Sequence, residues 1–90
     1  MDPDQKLKAL ILLGLFCNGS CTAKELQQKS EWLRKYSLWG IESTLSVLIK
    51  HGTIREKEHI SKRGAIRYFL APHIDEQIGE LLLNHLNQQS

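Results

Sequence analysis

Between residues 37 and 70 a helix, a glycine and a strand–turn–strand follow one another without interruption, and this order restricts the fold more than any other feature of the chain. Ile41, Leu45, Leu48 and Ile49 recur at the three- and four-residue intervals that put side chains on one face of a helix. Gly52 follows where a helix C-terminus favours a left-handed residue. Residues 53–61 then predict a strand, Lys62-Arg63-Gly64 a turn, and residues 65–70 the returning strand. Pleat alternation on that last strand sends Ile66, Tyr68 and Leu70 inward and Arg67 outward. The expected centre of the fold is thus a helix delivered into a hairpin with a basic tip.

The rest of the chain reads as helices. Residues 4–17 predict a first helix, with Asp2 or Asp4 as N-cap and Asn18-Gly19 as its stop. Leu7, Leu10, Ile11, Leu13, Leu15 and Phe16 make it apolar around most of its circumference, which suits a central helix or one partly in a subunit interface. Thr22-Ala23-Lys24-Glu25 is a capping box that opens a second helix. That helix is expected to bury Leu26, Ser30 and Leu33 and to run to about Lys35. Tyr36 and Ser37 make the next turn, with Ser37 the N-cap of the third helix unless Gly40 marks a later start. Pro72 closes the hairpin, and residues 74–86 predict a fourth helix bearing the stripe Ile74, Ile78, Leu81, Leu82 and Leu86.

Ninety residues allow one domain with a modest core and leave little for an enzyme's pocket. The formal net charge is only +2, but it is unevenly distributed. Lys50, Arg55, Lys57, Lys62, Arg63 and Arg67 face Glu56 and Glu58 within residues 50–70, a local balance of +4. Residues 71–90 hold Asp75, Glu76 and Glu80 with no Lys or Arg, a balance of −3. Only the basic end suits a phosphate backbone. The apolar run at residues 9–17 is too short to cross a bilayer, and the acidic start Asp2-Pro3-Asp4 argues against a secretory signal. A cytoplasmic protein with reduced Cys17 and Cys21 is expected.

Two segments carry a family resemblance. Ile41-Glu42-Ser43-Thr44-Leu45-Ser46-Val47-Leu48-Ile49-Lys50-His51-Gly52-Thr53-Ile54 is similar to the recognition-helix pattern of winged-helix transcriptional regulators, with core leucines before a glycine and a strand-starting isoleucine. Ser61-Lys62-Arg63-Gly64-Ala65-Ile66-Arg67-Tyr68-Phe69-Leu70 resembles their wing. The resemblance implies a mostly α-helical winged helix-turn-helix with a β-hairpin wing, in the order helix, helix, helix, strand, strand, helix. The long spacing from Leu26 to Ile41 and the terminal helix most resemble the PadR-like branch, which dimerises through its C-terminal helix. Short pilus-operon regulators are similar in the wing. Two departures are the lack of arginine in the first turns of the third helix and the presence of Glu42 there.

On this reading residues 1–71 form a DNA-binding domain, and residues 72–90 a dimerisation helix packed on it. Lys62 and Arg63 at the hairpin tip are expected to touch phosphates or a minor groove, with Arg67 and Arg55 extending the patch; the plain alternative is a solvated turn. On the third helix Trp39, Gly40, Glu42, Ser43 and Ser46 face outward, and Ser43 and Ser46 are candidates for base or phosphate contacts. Glu42 suits a cytosine amino group or simple solubility. Arg34, Lys35, Ser37 and Lys50 complete the candidate DNA contacts. Trp32 or Trp39 is expected in the core. Dimerisation is assigned to Ile74, Ile78, Leu81, Leu82 and Leu86.

No Gly-rich phosphate loop, nucleophile motif or paired carboxylates point to catalysis. Cys17 and Cys21 lack two further metal ligands at a recognised spacing, because His51, His59, His73 and His85 supply none; buried or half-buried free thiols are expected instead. No cofactor, metal, membrane or small-molecule ligand is implied. The expected partners are double-stranded DNA and a second copy of the chain, in a transcriptional regulator. The alternatives are a winged-helix module that binds protein, and a plasmid or phage partition or replication accessory protein.

Overall fold

Caps and periodicity set most helix ends close to where the sequence puts them, the end of the second helix excepted. A computed structural model of the protein describes residues 3–58 and 66–89. Its elements are α1 (Pro3–Asn18), β1 (Cys21–Thr22), α2 (Ala23–Lys29), a 3-10 turn (Glu31–Leu33), α3 (Leu38–Lys50), β2 (Ile54–Glu58), β3 (Ile66–Leu70) and α4 (Pro72–Gln89). The tip residues Lys62, Arg63 and Gly64 lie outside the described residues, as do His59 and the adjoining ends of both predicted strands.

The predicted capping box is formed. The Thr22 hydroxyl accepts from the Glu25 amide at 3.1 Å, and the Thr22 amide donates to the Glu25 carboxylate at 3.0 Å. α2, however, ends at Lys29 rather than near Lys35. Ser30 adopts an extended conformation (φ −97°, ψ 108°), and the chain recoils through the 3-10 turn. A helix of seven residues has little intrinsic hold on its own end, so tertiary contacts decide where it stops. Here the break carries Trp32 to α1, where its indole N–H donates to the Leu10 carbonyl at 3.3 Å.

One apolar cluster joins α1, α2, α3 and the sheet. Ile11, Leu26, Leu33, Ile41 and Leu45 are fully buried, with Leu15, Leu48, Ile54 and Leu70 beside them. Each such side chain contributes about 1.5–3 kcal/mol through removal from water. The expectation of a core tryptophan does not hold: Trp32 is 38% exposed and Trp39 78% exposed. The aliphatic residues already fill the small interior. α1 is less fully enclosed than its composition suggests, since Leu13 faces solvent.

The strand β1 has no counterpart in the sequence reading. It pairs antiparallel with β3 (Cys21 opposite Tyr68, Thr22 opposite Arg67), giving a three-stranded sheet in the order β1-β3-β2. β2 pairs with β3 from Ile54 opposite Leu70 to Glu58 opposite Ile66. The inward set on β3 is only partly as expected: Leu70 is buried and Tyr68 half-buried, but Ile66 is exposed because it lies past the edge of the core. The cysteines also differ from each other. Cys21 is fully buried in β1, whereas Cys17, on the last turn of α1, is exposed. Burial pushes the Cys21 thiol above its ordinary range, which disfavours the thiolate.

Gly14, buried on α1, packs directly against Leu26 and Ser30. A Cβ built there would stand 2.9 Å from the Ser30 hydroxyl and 3.1 Å from a Leu26 methyl. Gly14→Val is therefore expected to lower unfolding stability by about 1–3 kcal/mol through overpacking. A urea titration comparing midpoints checks this; an unchanged midpoint would mean that α1 and α2 can separate at no cost.

Candidate nucleic-acid interface

α3 is held at both ends and along its underside. Ser37 is the N-cap, its hydroxyl accepting from the Gly40 amide at 3.0 Å. Just before it, the Gln27 side-chain amide donates to the Tyr36 carbonyl at 2.8 Å, tying the approach to α2. At the far end Gly52 takes φ +76°. Its amide bonds the Ile49 carbonyl and the Thr53 amide bonds the Leu48 carbonyl, both at 3.0 Å, which closes a Schellman motif and launches β2. Ile41, Leu45 and Leu48 occupy the buried side.

The opposite side is a strip of Trp39, Ser43, Ser46 and Lys50, flanked by Glu42 and Val47, all exposed. The Ser46 hydroxyl donates to the Glu42 carbonyl at 3.2 Å, leaving its lone pairs outward. Burial, with the nearby carboxylates of Glu56 and Glu42, pushes the Tyr68 phenol up. On the approach to α3, the Arg34 Nε–H donates to the Gln28 carbonyl at 3.1 Å, and the Lys35 ammonium lies 5.5 Å from the Tyr36 ring centroid. Arg34, Lys35, Ser37, Trp39, Ser43, Ser46 and Lys50 are all exposed. Lys62 and Arg63 lie outside the described residues.

No protein-family model matches the chain, and no curated protein matches it in sequence. Solved structures do match. A transcriptional regulator homologue from Pyrococcus horikoshii OT3 aligns with a TM-score of 0.68 at 14% identity, over 93% of this chain and 82% of that one. A probable transcriptional regulator from Pseudomonas aeruginosa gives 0.66 at 19% identity, over 99% and 63%. Bordetella bronchiseptica BpsR, for which regulation of DNA binding by 6-hydroxynicotinic acid is described, gives 0.68 at 14% identity, over 97% and 64%. The fold is the winged helix-turn-helix of transcriptional regulators. This chain spans 82% of the length of the Pyrococcus protein but less than two thirds of the Pseudomonas and Bordetella proteins.

In winged-helix terms α3 stands in the position of the recognition helix, and β2 with β3 is the described part of the wing. Arg67 is the sequence candidate whose surroundings differ most from expectation. Rather than standing free on the outer face, its guanidinium donates to the Ser20 carbonyl at 2.9 Å and lies 3.6 Å from Glu25. It pins the wing to the start of α2. Glu25 is the common partner, since Lys29 also approaches it at 3.5 Å. Neither Glu25 as a junction nor Gln27 as a tether was legible beforehand; the capping box was the sole signal at Glu25. Among the described residues, no group of His, Cys, Asp and Glu is arranged to hold a metal, and no helix is long and apolar enough to cross a membrane.

The Thr22 amide, then Arg67 and Lys29, hold the Glu25 carboxyl below its ordinary range. The unfolded chain thus takes up a proton here at higher pH than the folded one. The contribution of Glu25 to stability is complete above the unfolded value, about 4.3, and is lost as pH falls through the lower folded value. Glu25→Gln keeps a capping side chain but no charge, so it should be less stable than the parent at pH 7. The difference should shrink as pH falls from about 5 to 3. Chemical denaturation midpoints of both proteins across that range test this, and a pH-independent gap would exclude the charge.

Proposed function

We propose that the protein is a homodimeric regulator of transcription that acts in the cytoplasm and binds double-stranded DNA. In this reading α3 enters the major groove and the wing contacts flanking backbone or minor groove. The observation that carries it is the exposed strip Trp39, Ser43, Ser46 and Lys50 on a helix whose other side is sealed into the core. Arg34 and Lys35 flank the start of the helix, suited to phosphates. Lys62 and Arg63 at the wing tip extend the cationic surface. Arg67 serves this interface indirectly, by fixing the wing. Residues 1–71 are the DNA-binding domain and residues 72–90 the dimerisation helix.

Support for a dimer comes from α4. Ile74 and Ile78 are half-buried against the domain's own core, but Leu81, Leu82, Leu83 and Leu86 are 69%, 42%, 59% and 63% exposed. The molecule is 46 Å long against 26 and 24 Å across. Such a row of leucines in water suits an isologous contact with a second copy. The protein-binding alternative draws on the exposed indole of Trp39 and on Glu42, which repels phosphate.

Fluorescence anisotropy with random duplex at two salt concentrations separates the readings: DNA binding should weaken steeply with salt, and no binding at low salt favours a protein partner. Lys62→Ala with Arg63→Ala should weaken binding to every duplex almost equally and lower the salt slope by about 2. An unchanged slope would remove the wing tip from the interface. For the dimer, Leu81→Glu with Leu86→Glu should yield a folded monomer in sedimentation equilibrium and a large loss of affinity for a two-half-site duplex. A parent protein that is itself monomeric at tens of micromolar, roughly the range where such an interface should hold, would overturn it.

A further inference from the structure

Within the DNA-binding reading, the chemistry of the exposed strip on α3 narrows what it can read. The helix contains no Arg, Asn or Gln, so the side chains that recognise adenine, and the arginine that most often recognises guanine, are missing. Its one cation, Lys50, sits in the last turn. Hydroxyls at Ser43 and Ser46 tolerate several base edges, and Ser46 already spends its proton on the Glu42 carbonyl. What remains is Glu42 on one flank, which can accept from a cytosine amino group and repels phosphate, and two apolar side chains, Trp39 at 78% exposure and Val47 at 38%. Exposed apolar side chains on a reading face are withdrawn from water by apolar groups in the groove. Among the base edges of the major groove, the apolar group is the C5 methyl of thymine.

We propose that Trp39 and Val47 are specificity-determining residues that contact thymine methyl groups, so that the protein prefers A·T-rich sites through the major groove. The two residues are eight positions apart, about 12 Å along the helix axis. That matches the rise of roughly three to four base pairs at 3.4 Å each. Each half-site should therefore carry two contacted thymines at about that separation, with Ser43 and Ser46 between them.

Replacing thymine by uracil removes only the methyl group, which isolates this contact from base pairing. The intact protein is titrated with four 24-base-pair duplexes: alternating A·T, alternating A·U, alternating G·C, and alternating G·C with 5-methylcytosine. The A·T duplex should bind more tightly than A·U by about fourfold for each contacted methyl, the effect of burying one methyl-sized apolar group. Methylation of cytosine should tighten G·C binding in the same direction. Trp39→Ala and Val47→Ala should each reduce the thymine-to-uracil affinity ratio, with thermal unfolding confirming that both variants are folded. Equal affinity of the parent for A·T and A·U overturns the methyl contact while leaving DNA binding in place. A ratio unmoved by either substitution overturns the assignment to these residues. Failure to bind any of the four duplexes at low salt overturns the DNA-binding reading itself, and this inference with it.

Discussion

The seal beneath α3 is the constraint on which the other surfaces depend. Ile41 and Leu45 are fully buried and Leu48 is 3% exposed, against a core supplied by α1, α2 and the sheet. Turning the helix by even a quarter turn would return several of these side chains to water, each at about 1.5–3 kcal/mol. The opposite strip is consequently fixed in direction without any contact of its own. Ser37 and Gly52 fix the length of the helix, and Gln27 fixes where it begins. If α3 reads DNA as we propose, the precision of that surface comes from residues that never touch the ligand.

The sheet is registered to the helices through a small polar junction rather than through the core alone. Glu25 caps α2, accepts from Thr22 and attracts both Arg67 and Lys29. Arg67 in turn reaches the carbonyl of Ser20, across the pairing of β1 with β3. This explains why a cation on the wing strand is spent internally. Without that junction, β3 would be held to the helical part only by its pairing with β1 and by Leu70 in the core.

α4 divides into two physically different halves. Its first turns dock Ile74 and Ile78 on the domain, and the buried Ala71 lies at its start, with Ala71 carbonyl bonds to the Ile74 and Asp75 amides. Beyond them four leucines meet solvent on more than one side. The acidic residues and exposed leucines belong to α4 and the basic residues to the hairpin segment, so the two interactions we propose draw on different parts of the chain.

Local signals account for most of what was legible in the sequence. The capping box at Thr22, the N-cap at Ser37, the glycine stop at Gly52 and the spacing of Ile41, Leu45 and Leu48 each act within a few residues, and all are found as expected. The periodicity of α4 was equally clear, although it could not say which isoleucines and leucines meet the chain's own core. What the sequence left open lies in partners far apart along it. Arg67 meets Ser20 across 47 positions and Trp32 meets Leu10 across 22. A two-residue strand such as β1 has no periodicity to detect and exists because β3 offers it hydrogen bonds. The sequence by itself determined which segments are helices and which face of α3 turns inward, because caps and spacing are properties of neighbouring residues. Only the tertiary structure decided where α2 stops, which cysteine is buried and which arginine is taken from the surface, because each depends on what packs beside it.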